Sequence, residues 1–167
     1  LLKEALKEVV GKTFNMISVD RDTSTNDTVL LMANGLANNP IIREKDGNYQ
    51  KFLSALYLIF EHLAKAIVKD GEGATKLIEV EVKNACSKED ARNAAKAVID
   101  SLLVKTAIFG QDPNWGRILV AVGYSGADID INKLDLFLEE KIVEDGQPID
   151  YSKNKVREYL KNSREIK

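Results

Sequence analysis

Apolar residues return at every third or fourth position from Tyr49 to Lys69. Phe52, Leu53, Leu56, Ile59, Phe60, Leu63, Ile67 and Val68 form one broad stripe on a predicted helix. Glu61 and Lys65, one turn apart, add a favourable pair on its polar side. The same period marks residues 1–12 through Leu2, Leu6, Val9 and Val10. It returns in Ala91, Ala94, Ala95, Val98, Ile99 and Leu102, where Ser87 followed by Asp90 resembles a capping box. Asp112 as N-cap with Pro113 in the first turn predicts a further helix through Ile118, Leu119 and Val122, closed by Gly123. Ser152 opens the last, which carries Val156, Tyr159 and Leu160.

Period-two alternation appears from Leu77 to Lys83, with Ile78, Val80 and Val82 on one face and Glu79 and Glu81 on the other. Phe14–Val19 and Lys105–Phe109 are short apolar runs that read as strands. Leu134–Val143 suggests one or two strands, Asp145-Gly146 a tight turn, and Glu165–Lys167 the beginning of another strand. Thr28–Ala33 fits a strand or a buried helix equally. Asn34-Gly35 and Asn38-Asn39-Pro40 are turn signals, and the polar segment onward to Asn48 reads as a surface loop.

Mixed helices and hairpin-like strands predict an α/β class, an α+β layered sandwich with mixed sheets and packed helices. Two lobes are expected, 1–73 and 74–167, with the second truncated at its end. A length of 167 residues is enough to bury a real core. The first helix has no capping residue ahead of it and the last residues begin a strand. The chain therefore reads as part of a larger protein. A net charge of −2 gives no basic field for nucleic acid or an anionic membrane. No apolar run approaches a membrane span, and no leader pattern opens the chain. Cys86 and His62 are each the sole residue of their type, which argues against a disulfide framework or a metal cluster and fits a cytoplasmic setting.

The most suggestive stretch is Asp70-Gly71-Glu72-Gly73-Ala74-Thr75-Lys76. Gly71 suits the left-handed residue that closes a helix, and Gly73 leaves backbone open to a ligand. Glu72 is held between them, either as a solvated turn residue or, if the lobes meet near Gly73, as a ligand-facing carboxylate. A phosphate loop is excluded, because a strand follows where that loop needs Gly-Lys-Ser/Thr opening a helix. Asp20–Asp27 packs acids, hydroxyls and an amide into one loop. An EF-hand is excluded, since Thr25 stands where glycine is needed and Leu31 where a bidentate Glu is needed. The loop either bonds to itself or shapes a polar pocket. Trp115 and Arg117 either pack at a helix start or bind a ligand by stacking and charge. With one histidine, no Ser/His/Asp set can be argued.

Taken together, three stretches resemble the β-chain of the ornithine acetyltransferase (glutamate N-acetyltransferase) family: Ser18–Asp27, Asp70–Lys76, and Ala107 to Arg117 with its Asp112-Pro113-Asn114-Trp115-Gly116-Arg117 core. Asn34-Gly35 and Val122-Gly123-Tyr124-Ser125-Gly126 fit too, and order and spacing agree over essentially the whole chain. The resemblance implies a fold shared with N-terminal-nucleophile aminopeptidases. It implies a precursor that cuts itself before a threonine, giving α and β chains. Acetyl then moves from N-acetylornithine to that threonine and on to glutamate, within arginine biosynthesis.

The nucleophilic threonine is expected upstream of Leu1, so no residue of this chain is catalytic. Glu72 matches the family's substrate-contacting glutamate. Asp20, Thr23, Asn26, Asp27, Asn114 and Arg117 are expected to shape the pocket. No metal or bound cofactor is implied, although some members also accept acetyl-coenzyme A as donor. The expected partners are the α-chain of the same precursor, in an α2β2 heterotetramer, and the two small substrates. Arg21 sits where many members have glycine. The alternatives are a related N-terminal-nucleophile amidohydrolase or aminopeptidase, and a structural assembly lobe.

Overall fold

A computed structural model describes residues 1–167. It divides the chain into two compact units, Leu1–Gly71 and Glu72–Lys167. Its helices and mixed sheets agree with the α/β class expected from the pattern. No helix is long and apolar enough to cross a membrane.

The first unit is built on two helices, α1 (Leu2–Lys12) and α2 (Gly47–Lys69). Asp46 caps α2 by accepting from the Tyr49 amide at 2.9 Å. Ala5 and Val9 of α1 pack with Tyr49, Leu56 and Phe60 of α2. Thr13 ends α1 with its hydroxyl donating to the Val9 carbonyl at 2.7 Å. Residues 14–19 are not the strand their apolar run suggests. Phe14–Met16 is a single 3-10 turn, which brings the Phe14 ring edge-on to Phe60 at 5.3 Å. An aromatic contact on a helix, rather than a neighbouring strand, satisfies this segment.

Thr28–Ala33 forms neither of the elements considered for it. It is extended chain without a strand partner, its Val29 and Leu31 packed on the core and its Leu30 and Met32 exposed. The α2 stripe is only half covered. Leu56, Phe60 and Ala64 are buried, while Leu58, Ile59, Leu63 and Ile67 face outward. The Glu61–Lys65 pair forms at 3.3 Å.

The second unit has α3 (Lys88–Asp100), α4 (Leu102–Phe109), α5 (Trp115–Gly123) and α6 (Lys153–Asn162). Two small sheets accompany them. In one, β1 (Leu77–Ile78) runs parallel to β5 (Glu165–Ile166); the other is antiparallel, in the order β2 (Leu136–Leu138), β3 (Glu140–Glu144), β4 (Gln147–Pro148). Ile142, Val143, Val156 and Leu160 are fully enclosed in one core with Val104, Ile108, Ala121 and Ile166. The Asp145-Gly146 turn joins β3 to β4 with φ of 48° and 73°, the mirror-image geometry that keeps the strand twist. Gly146 is doubly constrained, because a Cβ there would run into the Ile131 carbonyl.

Three expectations are corrected here. Lys105–Phe109 belongs to α4: Ser101 caps it by accepting from the Val104 amide at 3.3 Å, and Val104, Ala107 and Ile108 meet the core at helical spacing. Leu102 accordingly lies in α4, 66% exposed, and not on the buried face of α3. The Leu77–Lys83 alternation yields a ladder of only two residues, Leu77 beside Glu165 and Ile78 beside Ile166. Val80 still packs on the core, and Glu79 and Glu81 reach Lys167 at 3.7 and 3.1 Å.

Candidate active site

Glu72 follows directly from the way α2 ends. The amides of Asp70 and Gly71 return to the carbonyls of Ala66 and Val68, which closes the last turn. The left-handed residue is Gly73, at φ 68°, and not Gly71 as the sequence suggested. Space around Gly73 is open, so glycine is needed for its backbone angle rather than for room. Four residues on, the Lys76 ammonium donates to the Ser163 carbonyl at 2.8 Å, and Leu77 enters β1. Glu72 thus sits on a short turn anchored on its C-terminal side. Its carboxylate is exposed and makes no hydrogen bond or ion pair. A free carboxylate on an anchored turn is available to a cationic or amine-bearing ligand.

The Asp20–Asp27 loop lies in the first unit and bonds largely to itself. Asp20 Oδ1 accepts from the Asp22 amide at 2.8 Å, and Ser24 Oγ accepts from the Asn26 amide at 3.0 Å. The hydroxyls of Thr25 and Thr28 donate to the Asn26 side chain and carbonyl, each at 3.1 Å. Asp20, Thr23, Asn26 and Asp27 are all exposed. Arg21 holds φ at 79°, a region that costs an L-residue about 1–2 kcal/mol.

Asn114 and Arg117 lie together at the start of α5. The helix cap is Asn114, not Asp112: Asn114 Oδ1 accepts from the Arg117 amide at 3.3 Å. Asp112 instead accepts from Asn114 Nδ2 at 3.1 Å, and Pro113 is buried ahead of the helix. The Asp112 amide is tied back to the Ala107 carbonyl at 2.8 Å, so the chain has not yet turned into the helix at that residue. Arg117 Nη1 reaches the Leu103 carbonyl at 2.9 Å and Thr106 Oγ1 at 3.1 Å, fastening α5 to α4. Trp115 packs against the core of this unit. Both readings of the Trp115–Arg117 pair therefore meet the same fact, that these side chains already hold structure.

Beside this turn lie two adjoining clefts, of about 270 and 290 Å³. Asp112 and Arg157 line both. Tyr151 donates to the Pro113 carbonyl at 3.3 Å, bracing α6 against the turn. Burial pushes the Tyr151 phenol up from its ordinary pKa; the Asp112 charge adds to this and the Arg157 charge opposes it. Sequence reading had no place for Lys153, Arg157 or Lys161. Their signal was a cation at every fourth position of α6, offset by one from the buried Val156 and Leu160.

The ArgJ family model matches residues 1–167. The arginine biosynthesis bifunctional protein ArgJ of Caldanaerobacter subterraneus is 53% identical over 165 residues, 96% of this chain and 41% of that protein. The glutamate N-acetyltransferase of Methanocaldococcus jannaschii is 52% identical over 170 residues, 99% of this chain and 40% of that protein. The chain thus spans about two fifths of the length of these curated relatives. The crystal structure of the arginine biosynthesis bifunctional protein argJ from Bacillus halodurans superposes with a TM-score of 0.95 at 44% identity, covering 99% of this chain and 78% of that one.

Proposed function

The chain belongs to the ArgJ family, and on that footing we propose that it forms part of an acyltransferase moving an acetyl group from N-acetylornithine to glutamate. The observation that carries this reading is the unpartnered Glu72 carboxylate on its anchored glycine turn. That carboxylate pairs with the charged amino end of ornithine or orients the amine that reacts. The nucleophile is a threonine outside this chain, freed as a new N-terminus when the precursor cuts itself. It takes the acetyl group as an ester and passes it to the glutamate amine. Its own α-amino group or a water serves as base, which removes the need for a histidine.

Residues 1–73 contribute to the nucleophile-bearing layered domain and residues 74–167 to the second lobe. The self-bonded Asp20–Asp27 loop, with Thr23 and Asp27 exposed on it, and the Asn114–Arg117 helix start shape the pocket indirectly, by fixing backbone. The assembly is an α2β2 heterotetramer working in the cytoplasm.

Intact-mass analysis of the full-length protein, before and after N-acetylornithine is added, tests the reading. Two chains are expected, with acetyl gained only by the one containing this sequence. A single uncut chain with no gain overturns it. Glu72→Ala is expected to slow acetyl capture about 100-fold or more with the fold intact; an unchanged rate removes Glu72 from the site.

A further inference from the structure

We propose that the double cleft between the Gly110–Gly116 turn and α6 binds a free α-amino acid that carries a second carboxylate. The two groups common to both clefts have opposite charge, Asp112 and Arg157, and they form no ion pair with one another. Both line one of the clefts together with Tyr151. A ligand that bridges them must offer an ammonium to one and a carboxylate to the other. An α-amino acid does so from adjacent atoms, and the Arg157 fork suits its carboxylate.

The remaining lining charges select the side chain. Lys153, Arg157 and Lys161 face Asp112 and Glu158, which leaves one net positive charge. None of the three cations has an ion-pair partner, whereas Lys155 on the same helix reaches Glu139 and Glu140 at 4.0 and 3.7 Å. A zwitterion with one extra carboxylate balances that charge. A phosphate ester does not, since the two carboxylates repel it and it brings no ammonium for them.

The walls are rigid. The turn is held by the amides of Gly110, Gln111 and Asp112, which return to α4 at 2.9, 3.1 and 2.8 Å. α6 is anchored by the fully buried Val156 and Leu160. Asn114 donates from Nδ2 to Oδ2 of Asp112 at 3.1 Å, which holds that carboxylate in place. Glu72 is not among the lining residues, so the site stands independently of the acyl-transfer reading.

The test is calorimetric titration of the full-length protein carrying Glu72→Ala, which weakens glutamate binding at the proposed transfer site. The probes are L-glutamate, glutarate, which lacks the ammonium, and L-lysine, which brings a second cation in place of the carboxylate. L-glutamate is expected to bind at least tenfold more tightly than either. Arg157→Ala is expected to weaken it about tenfold or more, and Arg157→Lys less. Asp112→Asn is expected to weaken L-glutamate, which loses the partner of its ammonium, and to tighten glutarate, which loses a repelling carboxylate. Arg157 is exposed, so its variants should melt at the parent's temperature. Undetectable glutamate binding, equal binding of glutarate, or an Arg157→Ala protein with parental affinity would each overturn the site. Acetyl capture is read separately by mass, so its failure would leave this cleft standing.

Discussion

The two units use apolar residues in different ways. In Glu72–Lys167, residues from α4, α5, α6, β2, β3 and β5 converge on a single core, and Ile142, Val143, Val156 and Leu160 are fully enclosed. In Leu1–Gly71 the core rests on a few side chains from two helices, and much of the apolar sequence faces out. Leu30, Met32, Leu36 and Ile41 are each at least 75% exposed, and half the α2 stripe is bare. Capping does not divide the units in this way: Ser87, Ser101, Asn114 and Ser152 each cap a helix of the second unit, and Asp46 caps α2 of the first. Hydrophobic pattern alone therefore does not determine burial. An apolar stripe is buried only where the chain supplies an opposing surface.

Core truncation should separate the units most. Leu160→Ala in α6 is expected to cost about 2–5 kcal/mol in denaturant unfolding. Ile59→Ser on the bare α2 face should stay within about 0.5 kcal/mol. Equal costs would mean that the two faces are equally buried, which would break the comparison.

Caps come next. Ser87 accepts from the Asp90 amide at 3.0 Å and donates to its carboxylate at 2.6 Å. Ser87→Ala should cost about 1 kcal/mol. The Ser87 hydroxyl, then the Asp128 amide, hold the Asp90 pKa below its ordinary 3.8. A depressed folded-state pKa gives stability that is present above 3.8 and lost as pH falls through the lower folded value. An acid titration of stability should show this loss below pH 3.8, and Asp90→Asn should flatten it. An unchanged acid limb would remove Asp90 as a contributor.

The smallest effect is expected in the first unit. Arg21→Gly relieves about 1–2 kcal/mol of left-handed strain and adds about 0.5–1 kcal/mol of chain entropy cost, for a net gain of about 0.5 kcal/mol. A destabilised variant would show that the Arg21 side chain has a role beyond its backbone angle.

What was legible in the sequence was local. Ser87-x-x-Asp90, Ser152 and Asp145-Gly146 announce caps and a turn because each needs only a few neighbouring residues to form. Glu72 was legible for the same reason: its presentation depends on a helix end and a glycine within one turn of it. The errors fall on short apolar runs. Phe14–Met16 and Lys105–Phe109 carry no periodicity that distinguishes strand from helix, so packing on Phe60 and the Ser101 cap decided them. Moving the α5 cap from Asp112 to Asn114 took a hydrogen bond back to α4, which no local pattern reports.

The sequence by itself determined α1, α2, α3, α5 and α6, the Ser87 and Ser152 caps, the hairpin turn and the glycine turn that carries Glu72, because propensity, capping and turn geometry act between near neighbours. Only the tertiary structure decided that β1 pairs with β5, residues 77–78 beside 165–166. It alone placed Arg117 on α4 and set Asp112 opposite Arg157 across a cleft. Those outcomes depend on which distant surfaces bury one another, and that is a property of the packed chain as a whole.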